Sequence, residues 1–171
     1  MTNNLAQLNE RGADGSVVGK RTGMSEVSAD WRGAFTFGER FTLQPMVYGR
    51  LLFSSVFPAV FGNTIGGDWF GHYVEQQMPF AGIGNIEYVG HQFVATQLQA
   101  QERIGMNSYV LLRVAAAQQT DKLRNLLDNR TILGMQAAYY YNTLFGPIGA
   151  TLGYSNRSKK PYFFLNLGYE F

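Results

Sequence analysis

Over much of this chain apolar and polar side chains alternate with a period of two, the pattern of strands that show one face to each of two environments. From 27 to 37 the odd positions are Val27, Ala29, Trp31, Gly33, Phe35 and Phe37, and the even ones Ser28, Asp30, Arg32, Ala34 and Thr36. Past a short turn at Gly38, Glu39 and Arg40, the alternation resumes with Phe41, Leu43, Val47, Leu51 and Phe53 against Thr42, Gln44, Tyr48 and Arg50. This predicts a hairpin. Pro45 interrupts it, because proline has no N–H to give to a ladder and settles at edges or bulges. Val94, Thr96, Leu98 and Ala100 then oppose Gln97, Gln99, Gln101 and Arg103, and beyond a turn at 104–107 Val110, Leu112, Val114 and Ala116 oppose Tyr109, Arg113 and Ala117. Leu133, Met135, Ala137, Tyr139 and Tyr141 face away from Gly134, Gln136 and Ala138, and Ile148, Ala150, Leu152 and Tyr154 away from Gly149, Thr151 and Gly153. The last strand carries Phe163, Leu165, Leu167, Tyr169 and Phe171 on one face and Tyr162, Phe164, Asn166, Gly168 and Glu170 on the other.

Seven strands follow from this pattern, and an eighth must come from the weakly patterned residues 1–24 or from the long stretch 54–90. Short turns near Gly38, Gly105 and Asn142 alternate with longer connections at 54–90, 118–130 and 155–161, as in transmembrane barrels with short periplasmic turns and longer outer loops. The expected fold is therefore all-β: an antiparallel transmembrane β-barrel of about eight strands, or the terminal part of a larger barrel. Its organisation is an N-terminal segment 1–24 holding at most one strand, then a barrel domain 25–171 that includes the long loop.

Composition supports a wet interior. Glycine reaches 20 of 171 residues and aromatics 15%, while charged residues fall to 15%, against roughly 25% in ordinary domains. Arginine and glutamine at every second position suit a water-filled lumen better than a dry core, so Arg32, Arg50, Gln97, Gln99, Gln101 and Arg113 are expected to face the lumen. A soluble barrel would put its apolar face inward and its charges outward, yet here the polar face is rich in Gln, Thr, Gly and Arg and poor in Lys and Glu. The net charge of +2 gives no field that would recruit nucleic acid, and no apolar run approaches the length of a membrane helix. Without cysteine, disulfides and thiolate metal sites are excluded. Tyr139, Tyr140, Tyr141 and Tyr154 are expected in the interfacial aromatic belt.

The end of the chain also carries a resemblance. Its terminal strand, closing on Tyr169, Glu170 and Phe171, resembles the insertion signal of bacterial outer-membrane barrels. Together with Gly66-Gly67 in the long loop and the run Tyr141-Asn142-Thr143-Leu144-Phe145-Gly146-Pro147-Ile148, it is similar to the carboxyl-terminal barrel of the BamA-like (bacterial surface antigen) superfamily. The similarity is strongest to the form fused behind patatin-like phospholipases in some Gram-negative bacteria. Such barrels usually carry an Arg-Gly-Phe or Arg-Gly-Tyr tip in the long loop, whereas here the nearest sequence is Phe70-Gly71-His72-Tyr73. The resemblance implies residence in the bacterial outer membrane and a role in anchoring, assembly or translocation. The implied partners are membrane lipid and the insertion machinery, with a second copy of the chain left open.

Candidate chemistry is sparse. His72 and His91 with Asp68, Glu75 and Glu87 lack the tight two-histidine spacing of a zinc site, so no metal and no cofactor is expected. No Gly-x-Ser-x-Gly turn is present to expose a nucleophilic serine, so no catalytic residue is assigned and no enzyme is expected in this chain. A barrel binding a small apolar ligand, or a barrel enzyme acting on lipid, are the alternatives. Leu123, Leu126 and Leu127 have helical spacing within a stretch that reads as a solvated outer loop. The long connection carries Phe57, Phe61, Trp69, Phe70, Tyr73 and Phe80, too much aromatic surface for water. It is expected to fold over or into the barrel, with Trp69, His72 and Tyr73 as the first places for ligand contact or gating.

Two outcomes are expected. Because strands in lipid bond to one another, the folded protein should migrate differently on SDS gels before and after boiling; identical migration together with solubility in plain buffer would refute membrane residence. Deleting Phe171 should reduce insertion in cells more than refolding into detergent, and equal loss in both assays would restrict that residue to packing.

Overall fold

A computed structural model describes residues 2–11, 17–54, 62–67, 77–121, 124 and 130–167, with the backbone alone for 2–22. The chain is all-β, with strands β1 (Thr2–Arg11), β2 (Val17–Arg32), β3 (Phe35–Phe37), β4 (Phe41–Ser54), β5 (Thr64–Ile65), β6 (Gln77–Met78), β7 (Glu87–Tyr88), β8 (Gln92–Arg103), β9 (Ser108–Thr120), β10 (Ile132–Thr143), β11 (Gly146–Ser155) and β12 (Tyr162–Leu167). Eight long strands run antiparallel in the order β1-β2-β4-β8-β9-β10-β11-β12, with β3 added beside β4. Each of these long strands pairs with the next long strand in sequence, which makes the sheet a meander wall. Among the described residues β1 and β12 do not pair with each other, so the sheet is open.

The alternation sets the two faces. Trp31, Leu112, Val114, Met135, Leu152 and Phe163 are each more than half exposed on the outer face. An apolar surface of that extent is the wall hydrocarbon requires and one that water opposes. The inner face carries Tyr48, Arg50, Phe93, Gln97, Ala115, Gln136 and Thr151, all buried. Most long strands have 10 to 16 residues, enough to cross a bilayer at a tilt.

Three local features depart from the expected outline. The strand expected at 27–37 breaks at Gly33 and Ala34, between β2 and β3. Trp31 pairs with Val47 and Phe35 with Leu43, which places Gly33 opposite Pro45 without a register shift. Gly33 donates its N–H to the Pro45 carbonyl at 3.0 Å, but proline has no N–H to return. Pro45 thus sits inside the sheet and not at its edge; on its other side it faces Leu98 of β8. The N-terminal segment holds more than one strand: β1 pairs from Thr2↔Glu26 to Arg11↔Val17, so the boundary expected at 24/25 falls inside β2. Tyr140 also turns away from the expected belt. Its ring lies over Gly149 on the inner face, whereas Tyr139, Tyr141 and Tyr154 stay outward.

The long connection folds inward where it is described. Strands β5 to β7 form a small sheet in the order β6-β5-β7, and Ile65, Phe80, Ala81, Ile83 and Val89 join Tyr48, Phe93, Ala95, Ala115, Ala117 and Ile132 in one buried cluster. Backbone meets backbone in this packing. A Cβ at position 134 would overlap the Ala81 carbonyl oxygen, and one at Gly82, whose φ is 84°, would overlap the Tyr154 carbonyl. Glycine is therefore required at both points, on the wall and on the plug.

Replacing Gly134 by valine should leave the strand intact, since valine suits a pleated wall, and should expel the plug at a cost of about 1–3 kcal/mol of overpacking. Chymotrypsin cleavage after Phe80 in detergent should then accelerate about 5- to 150-fold while the gel shift on heating persists. Unchanged cleavage would mean that the plug is held by something other than this contact.

Candidate functional site

The site is the lumen and the plug that fills it. At its centre Arg50 of β4 donates through Nε and Nη2 to both carboxylate oxygens of Glu26 on β2, each at 2.7 Å. The two side chains lie on the lumen face because both positions are even in their strands and Ser28 pairs with Arg50 across the ladder. The third arm of the guanidinium, Nη1, reaches Asn63 Oδ1 at 3.3 Å. Asn63 is fully buried and donates its amide to the carbonyls of Gly90 (2.9 Å) and His91 (3.0 Å), while its own carbonyl accepts from Val89 N–H at 2.9 Å. One residue thus ties both ends of the plug to the wall. A buried arginine is tolerable only when charge and donors are matched, and the bidentate carboxylate with the amide matches them.

Wall side chains hold the plug elsewhere. Gln97 Oε1 accepts from Ala81 N–H at 3.1 Å, and Tyr48 donates its hydroxyl to the Pro79 carbonyl. Gln119 accepts from Gly90 N–H at 3.0 Å. Inside the plug, Gln77 donates to the carbonyls of Gly66 and Gly67 at 2.8 and 3.0 Å, bracing the Gly66-Gly67 corner, where both φ values are positive. At the outer rim Arg157, in the β11–β12 connection, bonds Glu87 Oε2 and the Tyr88 carbonyl, both at 2.7 Å. His91 Nδ1 lies 3.0 Å from Asp121, and its Nε2 lies 3.3 Å from the Tyr88 hydroxyl. Burial, aided by the negative charge of Asp121, pushes that hydroxyl above the usual tyrosine range.

Beside Pro79, toward the short turns, the lumen opens into a cavity of about 480 Å³ lined by Arg32, Gln44, Met46, Pro79, Gln97, Gln99 and Arg113, among others. Arg113 donates Nε to Gln99 Oε1 at 2.6 Å, and Gln99 donates to Gln44 Oε1 at 2.9 Å. Arg32, at the mouth, is largely exposed and lies 3.4 Å from Asp30.

The lumen set read from the sequence is thus divided. Arg32, Gln97, Gln99 and Arg113 share the cavity, Arg50 belongs to the clamp, and Gln101 is half-buried opposite Thr42. Phe163, Leu165 and Leu167 are on the outer face; Tyr169, Phe171, Trp69, His72 and Tyr73 lie outside the described residues, as do Asp68 and Glu75. Of the acidic and histidine residues once grouped, His91 faces Asp121 and Glu87 faces Arg157. The sequence reading missed Glu26, Asn63, Gln77 and Arg157. Glu26 was within reach of it, since it continues the even-numbered polar face of β2 by one step; Asn63 and Gln77 sit in a segment without period.

No curated protein matches the chain. The model of the OMP85 superfamily matches residues 19–171, a span that takes in nearly all of β2 and every later strand together with the plug. A meander wall with an apolar outer face, a polar lumen and an inserted long connection is what that match covers, and the chain belongs to the OMP85 superfamily of outer-membrane β-barrels.

Proposed function

We propose that this chain is the carboxyl-terminal, membrane-embedded barrel part of an assembly or translocation protein of the Gram-negative outer membrane, with the plug segments at 62–67 and 77–90 as its gate. The observation that carries this reading is the way the plug is held. Its backbone seats on Gly134 and Tyr154, and among its polar anchors the buried ion pair of Glu26 and Arg50, joined by Asn63, is the one whose loss strands a charge, so an event there can loosen it. A structural filler would more economically be made of apolar side chains, because a buried ion pair seldom adds net stability. The barrel does no covalent chemistry in this reading. An upstream patatin-like phospholipase, for which the wall would be the anchor, fits the resemblance in the terminal strand and the Gly146-Pro147 turn, and intact mass of the native gene product tests it.

The gate is tested by current. Glu26→Gln leaves Arg50 buried beside a neutral partner at a cost of about 3–5 kcal/mol, so planar bilayers holding the variant should show frequent openings where the parent is quiet. The double change Glu26→Leu with Arg50→Met removes both charges and should preserve the heat-shifted gel band while still loosening the Asn63 anchor. Quiet bilayers with both variants, each folded by the gel criterion, would overturn the gating role.

A further inference from the structure

The outer face of the wall is not uniform. Along β10 its positions run Leu133, Met135, Ala137, Tyr139 and Tyr141, so the small Ala137 side chain sits in a row of far larger ones. Across the ladders Ala137 pairs with Leu112 on β9 and Leu152 on β11, and the next row toward the long connections is Val114, Met135 and Tyr154. The result is a groove of about 360 Å³ on the outer face, bounded by these side chains and reaching Pro161. Leu112, Val114, Met135 and Leu152 are each more than half exposed, so the groove is open to whatever surrounds the wall. The pairs Ala116↔Leu133 and Ala117↔Ile132 separate it from the β9–β10 connection. Next to Pro161 comes a basic turn. Lys159 and Lys160 are both exposed, and the Lys159 N–H bonds the Ser155 carbonyl at 2.9 Å, which folds the turn back over the end of β11 beside Tyr154. Among the described residues neither lysine is ion-paired, whereas Arg157 in the same turn is matched by Glu87.

We infer that the Ala137 groove and the Lys159-Lys160 turn together form a binding site for a phosphorylated lipid, which rests on the wall being membrane-embedded. The charges and the apolar channel complement such a molecule end for end: two unmatched ammonium groups at the rim take the phosphate, and the groove below them takes an acyl chain. Tyr154 lies at the boundary between the two, where an amphipathic ring belongs. The volume falls within the range of small-molecule sites. The two halves have different tasks. An acyl chain gains little by leaving other chains for an apolar wall, so the groove supplies position, and the lysines supply the preference for an anionic headgroup. Ala137 matters because its missing bulk lets the chain approach the sheet between Leu112 and Leu152.

The test is native mass spectrometry of the full protein released from detergent micelles at low ionic strength, with didodecanoyl phosphatidic acid, didodecanoyl phosphatidylcholine and inorganic phosphate as probes. One phosphatidic acid should be retained at least about tenfold more tightly than phosphatidylcholine, and Lys159→Gln with Lys160→Gln should abolish that preference. Ala137→Leu fills the groove and should weaken retention of both lipids by about threefold or more. Each variant is checked for the heat-shifted gel band; should Ala137→Leu lose it, Leu112→Phe, on the groove's side wall, takes its place. Equal retention of the two lipids, or a preference that survives the lysine changes, would overturn the site. Retention unaffected by filling the groove would overturn it too, since the lipid would then lie elsewhere on the wall. Inorganic phosphate binding as tightly as phosphatidic acid would leave a bare anion contact in place of a lipid site. Absence of the heat-shifted band from the parent protein counts instead against the membrane-embedded wall itself.

Discussion

Inside hydrocarbon there is no water to satisfy a backbone N–H or C=O, so every strand of this wall must find its partners on the strands beside it. The order of strands follows from that need, since a chain that pairs each strand with its sequence neighbour never leaves a middle strand half-bonded. The donor missing at Pro45 falls opposite Gly33 and on the rim of a polar cavity, with the Gly33 N–H still bonded to the Pro45 carbonyl. The same constraint reaches the plug. Its carbonyls and amides, cut off from bulk water, are met by Gln97, Gln119, Gln77, Asn63 and Tyr48.

Charge is distributed on the same logic. Arg50 and Glu26 could not face lipid, and in the lumen their mutual attraction is strengthened by low dielectric but offset by lost hydration. Such a pair fixes position better than it adds stability: the bidentate fork accepts one geometry, and Asn63 completes it. At the rim, where water screens, Arg157 with Glu87 and His91 with Asp121 make shallower contacts between outer connections and plug.

The faces of the wall were legible from the sequence because a period of two forces every side chain to one side or the other, and the assignment of Leu112, Met135 or Gln97 needs no knowledge of its neighbours. Tyr140 shows the limit of composition, for its parity already put it with Ala138 on the inner face, while its chemistry drew it into the outer belt. Strand β1 was hidden because Asn3, Asn4, Gln7 and Asn9 place polar groups on both faces. The clamp was hidden for another reason: Asn63 meets Arg50 and His91 through contacts spanning 13 and 28 positions, in a stretch whose glycine corners erase any period. The cavity was half visible, in that its arginines and glutamines were grouped as lumen residues, but their division between clamp and cavity depends on where Asn63 and Pro79 of the plug come to lie.

Two points of the plug's seat are made of main chain. At Gly134 and Gly82 the nearest atoms are carbonyl oxygens, those of Ala81 and Tyr154. A template of that kind recognises shape and spacing and is indifferent to the residues that flank it. Foreign loops could therefore be grafted between β4 and β8 with their own tips and specificities, provided a glycine falls at each of the two points of closest approach. The wall becomes a socket, and variety in such proteins can accumulate in the insert while the socket stays as it is.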